Sequence, residues 1–416
     1  MAVDAACGED SVRSVGSVTD DLEALAAWLK GGGVCVVAME STGVYWIPLF
    51  EVLDRAGFEV HLVNPRATKQ VSGRKRDVLD CQWRWQLMRY GLLKGAFRPS
   101  DEVCVRRSSV RQRARLTQDR SRSVQHLQKA LTEMNVQLDA VLSDIMGKTG
   151  PKIRRALVAG EHDGARLAAY RDRRVKAAAD TLARSLRGTW REEHLFALEQ
   201  ALQRFAVLQC QIQACEAQIA TTLKRLSDAD ANVEVAGHTG HPPRDRAVQR
   251  ALHATRGVDL TVIPTSGVET ALVVASEIGP DRSRFPSSEH FCSWLTLAPG
   301  TRISGDKPRG GRALRRVNRA GQALRVAAST ARHSQSFIGA AHRARRTRLD
   351  HARAINASAH QLARLIYAML TRGEAYVERG IDEFEKQRRT RQLRNLHRQA
   401  HRLGATVSFN EEKTVA

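Results

Sequence analysis

The chain has 416 residues, 42% of them hydrophobic and 5% aromatic, with 66 Lys and Arg against 44 Asp and Glu and a formal net charge of +22. That length predicts two or three domains, each large enough to bury its own core, and the excess of cations predicts a polyanionic partner, nucleic acid first. Seven scattered cysteines, at positions 7, 35, 81, 104, 210, 215 and 292, form no C-x-x-C pair, which argues against a disulfide scaffold and a zinc motif and suits a reducing compartment. No apolar run reaches the roughly 18 to 20 residues of a membrane span, and no basic-then-apolar leader opens the chain, so a cytoplasmic, bacterial-type protein without a membrane partner is expected. The charge is uneven: residues 1–60 carry three basic and ten acidic side chains, residues 301–353 fourteen basic and two acidic.

In chain order, Asp20 to Leu29 reads as an amphipathic helix. Val34, Cys35, Val36, Val37, Ala38 and Met39 form a short β-branched run behind Gly31, Gly32 and Gly33, the pattern of a buried strand, which puts Glu40 at a strand's carboxyl end. Tyr45 to Ala56 reads as a helix and Glu59 to Val63 as a second strand ending at Asn64 and Pro65. Such alternation predicts an α/β domain with its sites at the carboxyl ends of its strands. Val78 to Tyr90 has helical apolar spacing and no proline or glycine. Asp77 and Asp80 stand three apart at its start, on one helical face. Glu40, Asp77 and Asp80 can therefore share hard divalent cations, the skeleton of a two-metal phosphodiester site. An Asp at a helix start is also an ordinary cap or dipole partner, and spacing alone leaves that alternative open.

From Val124 the pattern changes. Val124, Leu127, Leu131, Met134, Leu138, Val141 and Ile145 alternate by threes and fours, a heptad seam. Leu198, Leu202, Phe205, Leu208, Ile212, Cys215 and Ile219 form a second. The two predict a helical, coiled-coil middle whose helices pack on each other or build a dimer contact. Arg171, Arg173, Arg174 and Lys176, between the seams, read as a solvated face. Residues 227–247, rich in Asp, Gly, His and Pro, read as a linker, with His238 and His241 lacking ligand partners at metal spacing. Beyond it, Pro264, Thr265, Ser266 and Gly267 precede an apolar helix, Val268 to Ile278. This turn either offers backbone N–H groups to a phosphate or is a plain hairpin. Ser304 and Gly305 then sit among Arg302, Lys307, Arg309 and Arg312. Ser304 is a nucleophile held against a DNA phosphate or part of a polar loop; a serine hydroxyl needs an activator, and the carboxylates are the evident source. The basic stretch Lys386 to Arg402 reads as a helix, either gripping RNA or solvated.

Three segments together resemble a known family: Met39, Glu40, Ser41, Thr42, Gly43, Val44, Tyr45, Trp46; then Val63, Asn64, Pro65, Arg66; then Gly73 to Trp83. They look like the RuvC-like DEDD domain of the IS-one-ten family of insertion-sequence transposases. Ser276 to Pro299, the Ser304 loop and Arg315 to Arg319 resemble that family's C-terminal domain, and the likeness covers most of residues 12–372. It implies an α/β RuvC/RNase H-like domain at 1–104, a helical coiled-coil region at 105–226, a linker at 227–250, a mostly α transposase domain at 251–350 and C-terminal helices at 351–416.

The resemblance also implies a function: an RNA-guided DNA recombinase that excises and inserts a mobile element. Glu40, Asp77 and Asp80 match acidic positions that bind Mg2+, and Ser304 matches the serine that forms a phosphoserine intermediate. Lys307, Arg309, Arg312, Arg315 and Arg319 would hold backbone phosphates, which position a duplex without reading it. DNA, a structured noncoding guide RNA and further copies of the chain are the implied partners. One departure stands out. The family's first acidic residue lies in a Gly-Ile-Asp context, and this sequence contains no match to it; Asp4 is the nearest carboxylate, in another context. An N-terminally incomplete first domain is therefore expected, from an upstream start or a decayed copy. A non-catalytic nucleic-acid-binding remnant and a junction nuclease using water are the alternative readings.

Overall fold

The computed structural model describes residues 2–3, 12–41, 43–63, 77–92, 95, 98–226, 248–250, 252–253, 257–279, 283–298, 302–304, 307–309, 318–373, 386, 389–390, 393–402 and 404; for 2–3, 12, 77–80, 82–83, 226, 302–304 and 307–309 it describes the backbone alone. The chain divides into two compact units, Met1–Ser100 and Asp101–Ala416. Helices dominate the described residues, with one small parallel sheet, a mixed α/β content.

In the first unit, β1 (Ala2–Val3) and β2 (Val12–Arg13) pair antiparallel. Helix α1 (Thr19–Gly31) has Asp20 and Asp21 in its first turn and Lys30 in its last, matching the helix dipole at both ends. It stops where Gly33 turns to φ +70°, open to glycine without cost. Leu22, Leu25, Ala26 and Leu29 recur at helical spacing and bury against Val52, Leu53 and Phe58. Then follow β3 (Val36–Glu40), α2 (Trp46–Arg55), β4 (Glu59–Val63) and α3 (Asp77–Arg89). Strands β3 and β4 are parallel, Val36 opposite Glu59 and Glu40 opposite Val63, with α2 as the crossover.

The second unit is organised by two long helices, α4 (Asp101–Glu133) and, after four short ones, α9 (Glu192–Leu226). They run antiparallel within the chain. Val110 shares a core with Ile219 and Leu223, Leu116 meets Leu208 and Ile212, and Leu127 and Leu131 meet Leu198 and Ala201.

The first heptad seam does not continue as one helix. Helix α4 ends at Glu133, Asn135 takes φ +58°, and Val136 N–H donates to Leu131 O at 2.8 Å while Asn135 N–H donates to Thr132 O at 2.9 Å. This is a Schellman-type stop, with asparagine tolerating the left-handed position. Met134, Leu138 and Ile145 still bury in the same core as Leu127, so the periodicity marks burial across a turn. The core is completed by α5 (Leu138–Val141), α6 (Thr149–Val158), α7 (Gly164–Ala168) and α8 (Ala179–Ser185). The supposed solvated face is only partly so. Arg173, Arg174 and Lys176 are exposed, whereas Arg171 is half-buried and donates to the Ala177 and Val175 carbonyls, each at 2.7 Å.

The other end of the α4–α9 pair belongs to the larger core, formed with α10 (Val268–Ile278), α11 (Ser288–Trp294), α12 (Arg319–Thr330), α13 (Phe337–Arg346) and α14 (His351–Arg372). Arginines of α4 hold the carboxyl end of α10: Arg107 Nε donates to Ser276 O at 3.0 Å, and Arg111 forks Glu277 at 2.9 and 2.7 Å. The predicted linker at 227–247 lies outside the described residues; its neighbours 248–250 are a helical turn with Val248 and Gln249 buried.

Candidate functional site

The acidic half of the site lies in the first unit. Glu40 is the last residue of β3, and both Ser41 N–H and Ser41 Oγ–H donate to Val63 O, at 3.0 and 3.1 Å, so the chain stays tied to β4 just past Glu40. Helix α3 lies along β3: Cys81, Arg84, Trp85 and Met88 line a cavity of about 150 Å³ with Val36, Val37, Ala38 and Met39. Arg84 forms an ion pair with the Glu40 carboxylate, with the two side chains 23% and 18% exposed. Asp80 and Asp77 occupy backbone positions one and two turns upstream of Arg84 on α3. The fold thus brings the segment carrying both aspartates to the strand that ends in Glu40. Their side chains, and Asp4, are outside the described residues.

Arg84 is the residue the sequence reading missed. Its spacing of four from Asp80 and seven from Asp77 was the available signal, since these positions share a helical face. Its Nε is buried without an acceptor among the described residues, so the Glu40 pair leaves the guanidinium incompletely satisfied, a cost of roughly 1–3 kcal/mol. Carboxylate oxygens are the donors a hard divalent cation takes, and Glu40 sits where positive charge is already held. Of the three carboxylates, Glu40 is the one whose side chain is described, and its oxygens are donors of this kind. Among the described residues no cluster of three or more His, Cys, Asp or Glu forms a ligand set.

The serine half lies in the second unit. Ser304 ends β5 (Arg302–Ser304), which pairs antiparallel with β6 (Lys307–Arg309); Ser304 stands opposite Lys307 and Arg302 opposite Arg309. The backbone register therefore places two of the predicted cationic positions, Lys307 and Arg309, on the strand beside the serine. Arg312 and Arg315 lie outside the described residues, and Arg319 is the exposed first residue of α12.

The chain is fixed on both sides of this hairpin. Before it, Thr296 adopts φ +59°, and three groups hold residues 294–297: Asn318 Nδ2 donates to Trp294 O at 3.1 Å, Arg325 to Thr296 O at 2.8 Å and Asn356 Nδ2 to Leu297 O at 3.2 Å. After it, Asn318 Oδ1 accepts from Gly321 N–H at 3.1 Å and caps α12. A side chain at Gly321 would collide with the Leu295 carbonyl. Arg325 Nε also donates to Asn356 Oδ1 at 3.1 Å, and burial lowers the Arg325 pKa. Asn318, Arg325 and Asn356 fix the residues that flank the serine segment; nothing in their spacing marks them, because their partners are backbone carbonyls far away in sequence. At the predicted Thr265 turn, Gly267 precedes α10 in extended conformation, Thr265 has φ +73°, and Ser266 is buried.

The transposase profile DEDD_Tnp_IS110 matches residues 10–136, and the profile of the transposase IS116/IS110/IS902 family matches residues 259–347. Together they cover just over half of the chain, which belongs to the IS110 family of transposases. No curated protein matches it. Transposases act on DNA, cutting and rejoining strands. Among the described residues no helix is long and apolar enough to cross a membrane.

Proposed function

We propose that this chain is the recombinase of a mobile insertion sequence, cutting and rejoining DNA by Mg2+-dependent transesterification at Ser304, directed by a structured noncoding RNA. The observation that carries the reading is the placement of Glu40 at the end of β3 against the helix that bears Asp77 and Asp80, within a chain whose other matched segment holds the Ser304 hairpin. The RuvC-like character of the first unit, the guide RNA and assembly from several copies come from the family resemblance.

The chemistry asked of the residues is limited. The Ser304 oxygen forms a bond to a backbone phosphorus, the bond from that phosphorus to a deoxyribose oxygen breaks, and the serine proton ends on the departing hydroxyl. One phosphodiester replaces another, so rejoining by the reverse step needs no outside energy. Mg2+, held by Glu40, Asp77 and Asp80, would supply charge stabilisation for the attacking and departing oxygens. Lys307, Arg309, Arg312, Arg315 and Arg319 would neutralise phosphates and hold the duplex in place. Arg84 holds the Glu40 carboxylate in place through their ion pair and would give up that carboxylate as the ion binds.

The test is a junction-specific PCR for excised circles in cells carrying the coding sequence with its native flanking DNA. Circles from the wild type that are lost in Ser304→Ala, Asp77→Asn and Asp80→Asn are expected. Circles that persist in Ser304→Ala would overturn the phosphoserine step in favour of a hydrolytic nuclease. Salt-sensitive DNA binding without circles, from intact element ends, would indicate a binding-only remnant.

A further inference from the structure

We propose that a cavity in the second unit, walled by Arg332, His333, Arg343, Arg346 and His351 and floored by His342, binds a backbone phosphate of a nucleic acid, at a site distinct from the Ser304 hairpin. The inference rests on reading the chain as a nucleic-acid enzyme and adds a contact that neither the sequence pattern nor the family match assigns. The cavity measures about 500 Å³, within the usual range of ligand sites and roomy enough for a phosphodiester with its flanking sugars. It lies where the single turn Ala331–His333, the carboxyl half of α13 and the start of α14 meet.

Three observations give it this chemistry. First, all six lining residues are arginine or histidine, and among them no carboxylate offsets the charge. The nearest acid in sequence, Asp350, is committed elsewhere: it accepts from Arg353 N–H at 2.9 Å as the cap of α14 and pairs with Arg353 Nε at 3.1 Å. Gathering guanidinium groups without a counter-charge is unfavourable unless an anion joins them.

Second, the groups are held in place. Arg343 donates to the Arg332 and Ser334 carbonyls, at 3.1 and 2.8 Å, and Arg332 Nε donates to His333 Nε2 at 2.6 Å. The ring of His342, 1% exposed, shares a hydrogen bond between Nδ1 and Ser358 Oγ at 3.0 Å. Arg345, on the same helix, is drawn away to Ser358 Oγ and Gln361 Oε1, at 3.0 and 2.6 Å. The Arg346 side chain makes no hydrogen bond or ion pair among the described residues and is exposed. One turn of α13 therefore sends one guanidinium into structure and leaves others at the cavity. Arginine forks match phosphate oxygens pairwise, which a lysine does not do.

Third, the floor is sensitive to anions. Burial first, then the charges of Arg345, Arg346, His351 and Arg343, lower the pKa of His342, so the ring is neutral at neutral pH. A phosphate in the cavity would oppose the charge effects and let the ring donate from Nε2.

The phosphate could belong to DNA or to RNA, and the experiment separates them. Binding of the full chain to an arbitrary-sequence DNA duplex and to an arbitrary RNA hairpin is measured by fluorescence anisotropy across a salt series. The wild type is compared with Arg332→Gln/Arg346→Gln and with Arg332→Lys/Arg346→Lys. Both positions are exposed, and thermal melts check that the variants fold. The Gln pair should weaken binding about tenfold or more and flatten the slope of log K against log salt by about 1 to 2; the Lys pair should keep most of the slope. A loss confined to one polymer identifies that polymer as the source. A wild-type slope in the Gln pair for both polymers would overturn the site while leaving the transposase reading intact. Equal losses in the Lys and Gln pairs would overturn the electrostatic argument. A wild type that binds neither polymer would overturn the nucleic-acid reading and this site with it.

Discussion

Glu40 in the first unit and Glu277 in the second are both largely buried carboxylates held by arginines of a neighbouring helix, yet the two arrangements differ in completeness. Arg111 meets both oxygens of Glu277, Arg107 stands 3.6 Å from the same carboxylate, and Arg107 also binds carbonyls at the end of α10. The Glu277 side chain is 11% exposed. Its hydrogen bond is the first cause of the raised Arg111 pKa, while burial lowers that of Arg107. Every charge there has a fixed partner, and the group works as a clasp between α4 and α10. At Glu40 the partner Arg84 keeps a buried Nε without an acceptor among the described residues, and the carboxylate stands at a strand's open end. A saturated ion pair holds structure, whereas the proposed role of Glu40 asks its pair with Arg84 to exchange for a cation.

The largest expected effect breaks or sustains that contrast directly. Glu40→Gln should lower excision or strand transfer by about 10² to 10³-fold, on the order of 3–4 kcal/mol of barrier, while shifting the unfolding free energy by only about 1 kcal/mol. Strand-transfer rates paired with denaturant melts decide it; a loss of stability that matches the loss of activity would make Glu40 a structural residue like Glu277.

Glu277→Gln should do the reverse. Removing the carboxylate charge leaves Arg107, 15% exposed, without its counter-charge, while Arg111, 43% exposed, can turn to water, so the cost should be about 2–3 kcal/mol. Melts of the full chain should show a less stable second unit, with Glu40 chemistry impaired only in proportion to the unfolded fraction. A change under about 1 kcal/mol would show the clasp to be dispensable.

How much of this contrast was legible in the sequence depends on the range of the interactions. Strand β4 falls at Glu59–Val63 as the alternating run predicts, and β3 ends at Glu40, one residue past the apolar run. Helices α1, α2 and α3 lie within one or two residues of their predicted ends. These are local signals of period and punctuation. The turn at Asn135 was missed because the apolar spacing continues across it, and only φ +58° at that residue breaks the helix. The Arg84 partner, the Asn318 grip and the Glu277 clasp were missed for another reason. They join residues 44, 24 and 166 positions apart, and one sequence carries no record of such pairing.

Asn318→Ala tests the grip on the serine side at a smaller scale. The cap of α12 and the bond to Trp294 O are both lost, costing about 1 kcal/mol from the cap and a similar amount from the bond. Because Asn318 also fixes the chain after the hairpin, strand transfer should fall about tenfold beyond what stability explains, with DNA affinity unchanged. Arg325→Gln, which loosens the chain before the hairpin, should behave alike. If either variant loses stability without that additional activity loss, the serine segment is positioned by other contacts.

The smallest effect expected is on acid stability, and it separates the units by titration. In the second unit, burial lowers the pKa of both His342 and His360 from the ordinary value of 6.5. Their folded forms therefore bind protons less readily than the unfolded chain. Stability is full above pH 6.5 and is lost as pH falls from there through the folded pKa values, because protons favour the unfolded state. The first unit has one described histidine, His61, which is half-exposed beside Glu59 at 2.9 Å. Melts between about pH 7.5 and 5.5 should thus lower the second unit's transition ahead of the first's. His342→Gln should reduce the difference. A polyanion bound beside the ring should reduce it as well, since it raises the folded pKa toward the unfolded one; equal acid shifts in both units would mean that the buried ring does not couple to folding.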